Sequence, residues 1–213
     1  MNLKDLYRLV SEGEGQQLEF KLKSNHPHKI VREMVAFANS DGGKLLVGVA
    51  DNKEIIGLKY ADEDEYVLEK EMLKSIQPPL NYEIERVRLE DGKEVLVFNI
   101  PTGENRPYSV VNPENIEAKK VYVRVADKSI QASKEIKEIL KGFTKGKSLR
   151  FAYGEKETLL MKYLGENKYV TVEQFSELAN IARKNASRTL ILLVLTHVLG
   201  FHPKEGGDQF YML

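Results

Sequence analysis

Apolar residues recur at helical spacing in MNLKDLYRLVSEGEG, where Leu3, Leu6, Tyr7 and Val10 share one face, and the spacing predicts a short helix ended by Gly13 and Gly15. The period then changes to two. In EGQQLEFKLK, Leu18, Phe20 and Leu22 alternate with Glu19, Lys21 and Lys23, which predicts a strand with one buried face and a wet face carrying Glu19 and Lys21. HKIVREMVAFANSDGG returns to helical spacing, with Ile30, Met34, Phe37 and Ala38 on one side and Asp41-Gly42-Gly43 as the stop. Leu45, Leu46, Val47 and Val49 form a nearly continuous apolar run, the pattern of a central strand covered on both faces. Asp51 sits where that strand leaves the core, and a turn through Asn52 and Lys53 leads back along EIIGL.

ADEDEYVLEKEMLKSIQPPL predicts a helix with solvated acids in its first turn, Val67, Leu68, Met72 and Ile76 inward, and Pro78-Pro79 as terminator. NYEIERVRLEDGKEVLVFNIP is a hairpin turned at Asp91-Gly92. VYVRVADKS is a further strand with Val121, Val123 and Val125 inward and Tyr122 and Arg124 outward, and ASKEIKEILKGF is a helix that closes the domain. Hairpins mixed with helices, without strict strand-helix alternation, predict an α+β domain with a mixed sheet and packed helices.

Beyond it, KETLLMKYLGEN reads as a helix, and VTVEQF supplies a capping box, Thr171 with Gln174, and a hydrophobic staple, Val170 with Phe175. Helices over Val172 to Asn180 and Arg183 to Leu199 follow, then a hairpin turned at Gly206-Gly207. Three helices and a small hairpin resemble a winged helix-turn-helix, with Arg183, Lys184, Asn185, Ser187, Arg188 and Thr189 at the end of the helix that would enter the major groove. Leu190 to Leu195 is apolar all round, which suits burial in a core or dimer. Protein contact and DNA reading are therefore equally open for this domain.

Charge locates the joint. Lys141, Lys145, Lys147 and Arg150 stand together without an acid, whereas the first 140 residues carry 21 basic and 25 acidic side chains and residues 151–213 carry seven of each. The expected organisation is a domain over 1–140, a basic linker over 141–154 that is either a solvated connector or a phosphate-contacting arm, and a domain over 155–213. Over the whole chain 32 basic and 32 acidic residues cancel, so nucleic-acid or membrane binding would need a local patch. Cysteine is absent, which removes disulfides and thiolate metal sites. The polar start lacks the apolar core of a secretion signal, and LILLVL is too short to span a membrane, so a cytoplasmic protein is expected.

The chemistry concentrates on carboxylates. If Gly15 bends the chain so that Glu14 meets Glu19 and Asp51, three hard oxygen donors could hold Mg²⁺ or Mn²⁺, with Lys21 on a phosphate oxygen. The alternative is a surface Glu19-Lys21 ion pair, Glu14 in a loop and Asp51 in a turn. Arg106 and Arg124 are either phosphate contacts or plain surface, and Gly42-Gly43 is either a phosphate approach or a helix stop. His26 and His28 lack a partner histidine nearby, and His197 and His202 lie in the second domain.

Taken in order, EGQQLEFK, MVAFANSDGGKLLVGVAD, IIGL and VYVRVADKSIQAS resemble the Schlafen-type AlbA-like domain family over about residues 10–140. That resemblance implies a nucleic-acid-binding domain of a kind widespread in bacteria and associated with DNA. In the animal Schlafen proteins three acids form a metal-dependent endoribonuclease site for transfer and ribosomal RNA, and their positions fall on Glu14, Glu19 and Asp51. The chain departs from the pattern in carrying Ala50-Asp51 where the family often has two acids. It also has one lobe where the nucleases have two around a basic valley, so cleavage would need a homodimer. A Walker-type motif is absent and ATP hydrolysis is not expected. The resulting expectation is a bacterial DNA-binding regulator that dimerises and needs no cofactor to bind. A Mg²⁺- or Mn²⁺-dependent endoribonuclease and a winged-helix protein adaptor are the alternatives.

Overall fold

The first helix, α1 (Leu3–Glu12), begins at an Asn2 and Asp5 capping box and ends where Gly13 adopts a φ of 86°. It buries Leu6 and Val10 and leaves Tyr7 exposed. This is the start of a computed structural model that describes residues 1–112, 115–145 and 153–213. The chain divides into two compact units, Met1–Gln131 and Ala132–Leu213.

In the first unit β1 (Leu18–Lys21) is followed by α2 (Pro27–Asn39), β2 (Gly43–Val47), α3 (Ala61–Ser75) and β3 (Ile76–Gln77). The strands β4 (Glu83–Arg88), β5 (Glu94–Ile100), β6 (Ser109–Asn112), β7 (Asn115–Lys120), β8 (Tyr122–Val125) and β9 (Lys128–Gln131) complete it. The main sheet runs β1-β2-β5-β4, with β1 parallel to β2 and the other neighbours antiparallel, so it is mixed as the pattern predicts. Alternation along each strand feeds two cores. On one face Leu18, Phe20, Leu46, Val49, Val95 and Val97 pack with Leu6 and Val10 of α1. On the other, Leu45, Val47, Leu96, Phe98 and Ile100 pack with α2 and α3. The apolar run of β2 is thus explained by cover on both sides.

Helix α2 stops as expected, with Gly42 at φ 74° donating its N–H to the Phe37 carbonyl at 3.0 Å. A Cβ at Gly42 would lie 2.8 Å from the Ile100 carbonyl oxygen, so the close approach of β5 also requires glycine. The predicted hairpin is present, closed by Leu89 and Lys93 around Gly92. Its partners in α3 are less idle than expected: Asp62 and Glu65 pair with Arg86, and Asp64 accepts from Ser24. Val67 is 38% exposed, not inward.

The segment 101–120, for which the pattern predicts nothing, supplies β6 and β7. These form a three-stranded sheet in the order β3-β6-β7, and β8 pairs with β9. Strand β8 lies along α2, and buried Asn39 joins them: its Nδ2 donates to the Tyr108 and Tyr122 carbonyls at 2.9 and 2.8 Å, and its Oδ1 accepts from Tyr108 N at 2.7 Å. Both Tyr122 and Arg124 are consequently buried, where the alternation placed them outside. The reason is tertiary, since α2 covers the face of β8 that the sequence leaves to solvent.

The second unit contains α4 (Lys134–Lys145), α5 (Glu155–Glu166), α6 (Val172–Leu178), α7 (Arg183–Leu195) and the hairpin β10 (Leu199–His202) with β11 (Gln209–Met212). The helix expected to close the first domain therefore groups with the second, and α4 packs on α7, where Gly142 abuts Leu195. Lys141 to Lys145 of the expected basic linker are helical, and its remainder over 146–152 lies outside the described residues. The capping box is present, with Gln174 N donating to Thr171 Oγ1 at 3.2 Å and Thr171 N to Gln174 Oε1 at 2.9 Å, beside buried Val170 and Phe175. Leu190, Leu193 and Val194 are buried, while Ile191, Leu192 and Leu195 are half-buried. Among the described residues no helix is long and apolar enough to cross a membrane.

Candidate functional site

Gly15 does bend the chain. Its N–H donates to the Leu18 carbonyl at 2.9 Å, and the tight turn returns Glu14 beside β1, where Glu14 Oε1 accepts from Phe20 N at 2.9 Å. Since β1 is the edge strand of its sheet, this carboxylate satisfies an N–H that the ladder leaves unpaired.

Glu19 is 5% exposed, not on a wet face. Its Oε2 accepts from Arg124 Nη2 at 2.7 Å, and its Oε1 is paired with the Lys21 ammonium. Lys21 also donates to the Phe20 carbonyl at 2.8 Å. The Arg124 side chain is fully buried, 5.0 Å above the centre of the Phe37 ring. It donates to Glu33 Oε2 at 2.8 Å, to the Gly15 carbonyl from Nε and Nη2 at 3.1 and 2.9 Å, and to the Leu18 carbonyl at 3.2 Å. Glu33 Oε2 also accepts from Ser129 Oγ. Gln16 ties the same turn to β8, donating to the Arg124 carbonyl at 3.1 Å and accepting from Ala126 N at 2.8 Å. Arg124, expected as a nucleic-acid contact, is thus the buried counter-ion of two carboxylates.

Glu14 is an exposed residue, but partial desolvation of its carboxyl against β1 pushes it above its ordinary value; the hydrogen bond from Phe20 N opposes this, repulsion from Glu19 adds to it, Lys21 lowers it, and Asp51 raises it. Burial also raises Glu33, against the hydrogen bond from Ser129; Glu19 adds to the rise, and Arg124 and Lys21 oppose it. Glu14, Glu19 and Asp51 therefore share one electrostatic neighbourhood. They do not share a ligand sphere: Asp51 is exposed in the turn after β2, and among the described residues no group of three acids or histidines is placed to hold a metal ion. The donor chemistry suits Mg²⁺ or Mn²⁺, but the Glu19 oxygens are committed to Arg124 and Lys21, so the set as arranged does not fit the ion.

In the second unit Arg183, Lys184, Asn185 and Arg188 are exposed at the start of α7. Arg183 Nε donates to Glu173 at 2.7 Å. Ser187 and Thr189 are buried, and Ser187 Oγ donates to Glu135 Oε1 at 2.7 Å. Ser187 is therefore a packing contact to α4 and is not available to a nucleic acid. Arg106 is half-buried.

The residues missed by sequence reasoning are Glu33, Ser129, Gln16 and the Gly15 carbonyl. A signal existed: an arginine inside the valine-rich run VYVRV requires buried acceptors if the strand is covered.

Residues 14–133 match the family model described as Schlafen, AlbA_2. No curated protein matches the chain. Among solved structures, the N-terminal domain of a RecG-related protein from Nitrosomonas europaea is 22% identical, with 48% of this chain and 74% of that one covered and a TM-score of 0.37. The DIP2311 protein from Corynebacterium diphtheriae is 16% identical over 70% of this chain and 32% of that one, with a TM-score of 0.43.

Proposed function

The chain belongs to the Schlafen AlbA_2 family, and from that premise we propose that it is a nucleic-acid-binding protein, a DNA-binding regulator acting as a homodimer. The observation that supports binding over cleavage is the pairing of Glu19: Arg124 holds one of its carboxylate oxygens and Lys21 the other, so a metal ion would have to compete with two cations already in place. The second unit is read as a winged helix, with α7 as the recognition helix and β10-β11 as the wing. In support, Arg183, Lys184, Asn185 and Arg188 form an exposed polar and basic surface at its N-terminal end, where a recognition helix meets base edges.

The test is fluorescence anisotropy of labelled duplex DNA and transfer RNA with the full chain at low salt, with Mn²⁺ or with chelator, and gel analysis of the same samples. Metal-independent binding of intact nucleic acid, weakened in a Lys184→Ala/Arg188→Ala variant, is expected. Cutting that needs Mn²⁺ and is lost in Glu19→Ala would replace this reading with the endoribonuclease, in which Lys21 must release Glu19 to Mg²⁺ or Mn²⁺ held with Glu14 and Asp51. Absence of binding would leave the adaptor reading, with α7 as a protein-contact helix.

A further inference from the structure

Between Phe20 and Glu33 the chain carries Lys21, Lys23, Lys29 and Arg32, with His26 and His28, and no carboxylate, although the first 140 residues are acidic overall. This stretch runs from the end of β1 through the connecting loop into the first turns of α2. Lys21 is drawn inward to Glu19, while Lys23, His26, His28 and Lys29 are exposed, the two imidazoles standing edge to face at 6.1 Å. The loop is held in place: Ser24 is buried and donates from N and Oγ to Asp64 Oδ1 at 3.0 and 2.6 Å.

Asp64 belongs to the first turn of α3, and its N–H donates to the Tyr60 carbonyl at 3.3 Å, so the loop is pinned one helical turn from Tyr60. Tyr60 is 58% exposed, with the Lys59 ammonium 5.1 Å from its ring centre. Of the first-turn acids beside it, Asp62 is engaged by Arg86 and Asp64 by Ser24, while Glu63 is exposed. Exposed cations on a loop anchored to the helix turn that follows a solvent-facing aromatic ring match what an unpaired strand offers, phosphates at regular spacing and bases with free faces. A duplex hides those faces.

We propose that the β1–α2 loop, the first turn of α2 and the Lys59-Tyr60 pair form a track for single-stranded nucleic acid, with Lys23 of the loop and Lys29 of α2 on phosphates and Tyr60 stacking on a base. The inference rests on the nucleic-acid-binding reading and names a surface for it in the first unit. Each lysine that neutralises a phosphate on a single strand adds about 0.7 to the salt slope, so the pair accounts for about 1.4. A stacked base changes affinity with little change in that slope.

The experiment is anisotropy of a labelled single-stranded oligodeoxynucleotide, titrated with the full chain across a salt series. Lys23→Ala/Lys29→Ala should weaken binding and flatten the slope by about 1.4. Tyr60→Ala should weaken it about tenfold at unchanged slope, and Tyr60→Trp should retain it. All are at exposed positions, and circular dichroism confirms folding. If the unmodified chain binds and these variants bind equally well, the track is overturned and the nucleic-acid-binding reading stands. If the unmodified chain binds neither single strand nor duplex at low salt, both are overturned.

Discussion

Replacing Arg124 with methionine tests the ionic network most directly. Methionine keeps the aliphatic reach over Phe37 but removes the Arg124 donors directed at Glu19, Glu33 and the Gly15 and Leu18 carbonyls, leaving Lys21 on Glu19 and Ser129 on Glu33. Removing one member of a buried pair costs about 3–5 kcal/mol, because the remaining charge stays desolvated. That is a large share of the roughly 5–15 kcal/mol that stabilises a domain, and corresponds to a fall in melting temperature on the order of 10 °C. The assay is urea unfolding followed by circular dichroism, with hydrogen exchange at β1 and β8 amides to locate the loss in the first unit. The deficit should also depend on pH. Burial already holds Glu33 above the ordinary 4.5, and the Arg124 charge is among the influences opposing it. Without Arg124 it rises further. A carboxyl raised in the folded state contributes stability that is complete below the unfolded value and is lost as pH rises through the folded one. The variant should therefore be closest to the parent near 4.5 and weakest at neutral pH. A loss under about 1 kcal/mol at neutral pH, the size of an exposed pair, would refute the network.

Glu14→Gln keeps an acceptor for Phe20 N but cannot ionise. Because Glu14 is raised from 4.5, the parent loses its contribution as pH climbs through the folded value, so the variant should show a smaller decline between acid and neutral pH; identical pH profiles in urea unfolding would contradict this. Asn39→Ala removes three buried hydrogen bonds and should cost about 3 kcal/mol, measured by the same unfolding assay, with a loss below about 1 kcal/mol counting against the role given to Asn39 in joining α2 to β8 and to the Tyr108 backbone just before β6.

The sequence by itself determined the elements whose signals are local. The unbroken apolar run of β2, the glycine stop of α2, the Asp91-Gly92 turn and the Thr171-Gln174 box each depend on residues within a few positions of one another, and each element stands where they place it. The presence of Glu14, Glu19 and Asp51 was equally legible. What only the tertiary structure decided is their environment. Alternation assigns Glu19 to one side of β1 but cannot say what covers that side, and the partner that meets it there is Arg124, 105 residues away. The same long-range packing turned Arg124 from a presumed surface cation into a counter-ion, buried Ser187 against Glu135, and joined α4 to the second unit. Periodicity reports which residues share a face, whereas burial and charge pairing depend on which distant segment lies over it, and that information is distributed across the whole chain.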